Sequence, residues 1–76
     1  MDQLISFIAQ QLVDRPEDVM VSKVEGGSTT VFELQVAKED VGKVIGREGR
    51  TAHAMRTILS AVSSKSRKRS ILEILE

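Results

Sequence analysis

The residues of this chain best suited to chemistry are Gly46-Arg47-Glu48-Gly49. Two glycines three apart allow a tight turn with no Cβ atoms in the way, and Arg50 and a helix-forming stretch follow directly. Such a turn offers backbone N–H groups and the positive end of a helix dipole, both of which suit a phosphate oxygen. Arg47 adds a mobile cation and hydrogen-bond donor, and Gly49 permits entry into the helix. Lys43 and Arg50 flank the turn and can either contact phosphate or serve as solvated surface. Glu48 acts in the opposite sense. An acid at a helix N-terminus is stabilising by roughly 0.3–1 kcal/mol, and it competes with a phosphate for the same field. The chemistry implied is weak binding of an anionic strand, with a dissociation constant around micromolar.

Other chemistries find no support. His53 is the single candidate general base near neutral pH, and it lies on a polar helix face with no paired nucleophile. With no cysteine there is no disulfide, and one histidine does not make a zinc site. Gly42, Gly46 and Gly49 do not form GxGxxG, and no Gly-Lys-Ser/Thr follows as a phosphate-binding P-loop requires. Ser60, Ser63, Ser64, Ser66 and Ser70 read as a solvated face and loop. No enzyme, metal or cofactor is expected.

Charge supports the binding reading despite a formal net charge of zero. From Lys43 to Arg69 the chain carries eight basic residues and one acid, Glu48, whereas the rest carries three bases and ten acids. That asymmetry, centred on the glycine turn, either forms a face that meets nucleic acid or is a clustering in sequence that disperses once the chain is folded.

These residues need elements to position them. Residues 3–13 read as an amphipathic helix with Leu4, Ile5, Ile8 and Leu12 on one side, and Asp14 to Asp18 around Pro16 end it. Val19 to Glu25 reads as a strand, Gly26-Gly27-Ser28 as a hairpin turn, and Thr29 to Ala37 as a strand alternating Phe32, Leu34 and Val36 against Val31, Glu33 and Gln35. Glu39 to Ile45 reads as one short helix. From Arg50 to Ser64 a helical period sets Ala52, Ala54, Met55, Ile58, Leu59, Ala61 and Val62 on one half of the wheel. Lys65 to Arg69 is a basic connection, and Ser70 to Leu75 a last strand. The expected fold is a two-layer α+β domain over residues 1–76, in the order α-β-β-α-α-β, with a three-stranded sheet packed against helices.

Seventy-six residues bury only about 60% of their unfolded surface, so such a chain gains from a partner. The apolar arc of the long helix is near 180°, wider than the roughly 100° a surface helix needs. It either dimerises or covers both the sheet and a nucleotide groove. The N-terminus does not resemble a signal peptide, and the longest apolar run is three residues, which implies a soluble, cytoplasmic protein with no membrane partner.

The string Val44-Ile45-Gly46-Arg47-Glu48-Gly49-Arg50 resembles the core of a KH domain, whose GXXG loop clamps about four nucleotides of single-stranded nucleic acid. The leading helix makes the order similar to the prokaryotic, type II arrangement. From the Pro16 turn through Ala37–Gly46 to the Leu72–Glu76 ending, the chain resembles the KhpA family of small stand-alone bacterial KH proteins. The resemblance implies single-stranded RNA binding with low sequence specificity and an RNA-chaperone activity. It also implies pairing with a KhpB-type KH protein, beside the homodimer that the apolar arc of the long helix allows, and a role in cell length and peptidoglycan homeostasis. It carries Gly46, Arg47, Glu48 and Gly49 over to the RNA-binding loop.

Ile45 and the Ala54/Ile58 edge can line an apolar floor under bases or serve as buried structure, and Arg56, about 120° from Arg50, is placed outside the groove. Phe7 and Phe32 both fall on expected core faces, so base stacking on exposed aromatics is not the binding mode. The competing reading is a protein-interaction module whose glycine turn is structural and whose partner supplies the RNA affinity.

Overall fold

The computed structural model describes residues 1–64 and 67–76. Helix α1 (Asp2–Leu12) is followed by a 3-10 turn at Pro16–Asp18, strands β1 (Met20–Gly26) and β2 (Thr29–Gln35), and a second 3-10 turn at Lys38–Asp40. Helix α2 (Val41–Ile45), a 3-10 turn at Arg47–Gly49, helix α3 (Arg50–Ser63) and strand β3 (Arg69–Ile74) complete the order. The sheet runs β1-β2-β3, with β1 and β2 antiparallel and β2 and β3 parallel. This is the type II KH arrangement. The parallel pair requires a long crossover, and that crossover contains α2, the glycine turn and α3.

Alternation in β2 sets the layers. Phe32, Leu34 and Val36 are buried beneath the helices with Ile5, Ala9, Val44, Met55, Leu59 and Leu72. The other sheet face has no helix of the described residues on it: Val24, Val31 and Ile71 lie side by side across the three strands there.

The structure corrects the expected helices in three places. The stretch expected as one helix from Glu39 to Ile45 is divided, because Asp40 (φ −99°, ψ −5°) separates a 3-10 turn from the α-helix. Phe7 is not core but 61% exposed, since α1 buries Ile5 and Ala9, and Phe7 lies about 200° around the helix from Ile5. Leu4 and Leu12 are likewise on the margin. Of the wide apolar arc on α3, only Ala52, Met55 and Leu59 are buried, while Ile58 is 42% and Val62 50% exposed. Two residues of the expected basic connection, Lys65 and Ser66, lie outside the described residues.

Candidate nucleic-acid interface

The glycine turn joins α2 to α3, and both sides of it are anchored. Val44 is fully buried and fixes α2 in the core, which leaves Ile45 half-buried beside the turn. Gly46 N–H donates to Gly42 O (2.9 Å), closing α2. Gly49 N–H then donates to Gly46 O (3.1 Å), and Arg50 N–H to Arg47 O. The first two N–H groups of such a one-turn helix, those of Arg47 and Glu48, have no acceptor within it. No side chain caps α3. Exposed donors therefore gather where the helix dipole is positive.

Gly46 has φ +79° and ψ 173°, a region essentially closed to side-chain-bearing residues. A Cβ there would lie 2.2 Å from Thr51 Oγ1 and 2.8 Å from Thr51 N. The first turn of α3 thus rests on the bare Cα of Gly46. Glu48 (φ 56°, ψ 26°) and Gly49 (φ 75°, ψ 12°) are consecutive left-handed residues. Glycine takes that conformation freely, whereas glutamate does so at about 1–2 kcal/mol. Glu48→Gly is therefore expected to raise stability by about 1 kcal/mol in urea denaturation, while removing an anion from the turn.

The flanking cations differ. Arg47 and Arg50 are exposed at the turn. Lys43 is drawn away from it: its Nζ contacts Asp14 Oδ2 and lies 3.6 Å from Asp40 Oδ1. The hydrogen bond to Asp14 raises the Lys43 pKa above the usual lysine value, so the ammonium stays charged but is shared with two carboxylates. Asp40 is fully buried, and its carboxylate accepts Asp14 N–H (3.3 Å) and Arg15 N–H (3.0 Å), just past the end of α1. The Asp40–Lys43 spacing is legible as an i,i+3 pair; the link to α1 spans 25 and 26 residues and has no local signal.

A second feature lies along α3. Arg56, Ser60 and Ser63 of α3 face Arg69 and Ser70 of β3 across an open cleft of about 290 Å³. Arg56 Nε donates to Leu72 O (3.4 Å), a carbonyl of the strand at the sheet edge. Arg56, about 120° around the helix from Arg50, thus lines this cleft together with Arg69. Ala54 and Ile58 lie about 160° around α3 from Arg56, on the opposite flank from this cleft. The signal for Arg56 was its phase with Ser60 and Ser63, which share one side of the wheel. No helix among the described residues is long and apolar enough to cross a membrane, and no group of three metal-ligating side chains is found among them.

The family profile described as "KhpA/KhpB, KH domain" matches residues 2–74. The chain belongs to the KhpA/KhpB KH-domain family. Among curated relatives of this family, "RNA-binding protein KhpA" of Treponema pallidum is 51% identical over 75 residues, covering 99% of this chain and 94% of its own. The protein of the same name from Chlamydia pneumoniae is 49% identical over 76 residues, covering 100% and 97%. That from Clostridium acetobutylicum is 49% identical over 75 residues, covering 99% and 100%. No solved structure matches the chain.

Proposed function

We propose that this chain is a non-enzymatic RNA-binding protein that holds single-stranded RNA between its GXXG turn and the α3–β3 cleft. The observation that carries this reading is the turn itself. Its backbone is held in a glycine-only conformation against Thr51, at the start of a helix that no side chain caps. Arg47 and Arg50 contact phosphate there, and the N–H groups of Arg47 and Glu48 complete the clamp. Lys43 contributes a weaker contact, because Asp14 and Asp40 share its charge. Ile45 offers an apolar edge to the first base. Arg56, Arg69 and the outer edge of β3 then follow the strand away from the loop. The names of the relatives support RNA as the ligand.

Nothing in such contacts reads a base uniquely, so binding is weak, fast and tolerant of sequence. Contacts of this kind lower barriers between alternative RNA pairings without fuel, which is a chaperone activity. Arg47→Asp tests the reading. In fluorescence anisotropy with an unpaired oligoribonucleotide, affinity is expected to fall about tenfold, and the slope of log affinity on log salt to become shallower by about 0.7. A folded Arg47→Asp protein with unchanged affinity would transfer the RNA-binding role to a partner.

A second reading has its own observation, the exposed apolar flank of α3 formed by Ala54, Ile58, Ala61 and Val62. This flank is the surface offered to another KH domain, and the KhpB-type protein of the family resemblance is its natural occupant. Through that pairing the proposal extends to cell length and peptidoglycan homeostasis. The flank and the RNA cleft are on opposite sides of α3, so both can be occupied together.

A further inference from the structure

Register fixes what lies on the sheet face that no described helix covers. Phe32 and Leu34 of β2 point to the helices, so Val31 and Glu33 point the other way. Ser22, Glu33 and Glu73 form one row across the three strands of that face, and Val24, Val31 and Ile71 form the next. Neighbouring strands are about 4.8 Å apart, so the carboxylates of Glu33 and Glu73 stand side by side. Like charges directly opposite are destabilising. Neither acid has an ion-pair partner among the described residues. Arg69, the one cation among the described strand residues of this face, is two rows from Glu73 and lines the α3–β3 cleft. The aliphatic row is open as well, with Val24 55% exposed.

We propose that this face docks a cationic amphipathic helix of a partner protein, laid across the strands along the two rows. The acid pair decides the class of partner, because it repels polyanions such as RNA and anionic lipid surfaces. Spacing decides the form. Side chains at i and i+4 of a helix have Cβ atoms about 5–6 Å apart, which matches two carboxylates on adjacent strands. Same-face side chains of an extended segment are about 6.6–6.8 Å apart, a poorer match. Lys or Arg at i and i+4 thus meets Glu33 and Glu73. Residues i+1, i+5 and i+8 lie about 100° around the helix, and aliphatic side chains there fall on Val24, Val31 and Ile71.

One helix on three strands is a small interface, below about 1,200 Å², so the contact is transient. It uses the opposite side of the sheet from α3, so the apolar α3 flank and the glycine turn stay free. The inference rests on register and charge, not on RNA binding, and is tested without RNA.

The probe is a fluorescein-labelled synthetic helix of about 18 residues, with Lys at i and i+4, Leu at i+1, i+5 and i+8, and Ala and Gln elsewhere. By fluorescence anisotropy it is expected to bind the wild-type chain, whereas the same peptide with Glu for both Lys should not. The E33Q/E73Q double variant keeps the side-chain shapes and should weaken binding about fivefold, the effect of two exposed ion pairs. V24D, at the exposed end of the aliphatic row, should weaken it about tenfold. Amide resonances of residues 22, 24, 31, 33, 71 and 73 should shift with the peptide, while those of 46 to 50 stay fixed. The proposal is overturned if the wild-type chain leaves the peptide unbound up to about millimolar, if the Lys and Glu peptides bind alike, or if E33Q/E73Q changes nothing. It is equally overturned if those sheet resonances shift with chain concentration before any peptide is added, since a second copy would then occupy the face.

Discussion

Gly46→Ala is expected to lower stability by about 3 kcal/mol or more, read as an earlier midpoint in urea. Two costs add at this residue. Its φ of +79° with ψ of 173° lies where alanine is strained, and the added methyl group meets Thr51 Oγ1 and the Thr51 backbone nitrogen. A flexible side-chain tip can move aside, but the backbone nitrogen cannot move without shifting the first turn of α3. The turn that displays the N–H groups is thus lost together with stability. Gly42→Ala provides the contrast. Nothing lies within 4 Å of a Cβ there, and the residue is inside α2, where alanine is favoured over glycine by about 0.5–1 kcal/mol. Equal midpoints for Gly46→Ala and wild type would contradict the described geometry.

Asp40→Ala is expected to cost about 2–3 kcal/mol in the same measurement. Asp40 precedes α2, where aspartate commonly caps its own helix, yet its carboxylate makes no such cap. It is turned instead to the N–H groups of Asp14 and Arg15, which α1 leaves unused beyond its last turn. Removing it strands two part-buried donors, loosens α1 from α2, and leaves Lys43 with Asp14 alone. Asp40→Asn keeps one acceptor and is expected to lose about half as much. An Asp40→Ala protein as stable as wild type would show that this link does not hold the two helices together.

The elements with a clean period were legible in the sequence, and those that depend on distant partners were not. Strand β2 alternates without exception, so Phe32, Leu34 and Val36 followed directly from residue order. The glycine turn was equally plain, because only glycine fits the conformation at Gly46. On α3 the wheel identified the apolar half. It did not show that the sheet covers only the Ala52, Met55 and Leu59 part of it, because the width of the sheet is not written in the helix. Phe7 falls on an apolar face of α1 in the sequence, whereas the side that meets the core is the one carrying Ile5 and Ala9. Arg56 was measured against Arg50, but its partner is Leu72 on the edge strand, and that adjacency exists only after the crossover closes. For Lys43 phosphate contact and solvated surface both stay open in the sequence, because nothing local to it reveals Asp14.

The most direct test is a titration of the amide resonances with a short unpaired oligoribonucleotide at low salt. The N–H groups of residues 46 to 50 are expected to move first and furthest, those of Arg69 and Ser70 to follow, and the α1 resonances around Phe7 to stay in place. Loop resonances that remain fixed while others shift, or a spectrum that does not change at all, would contradict the account.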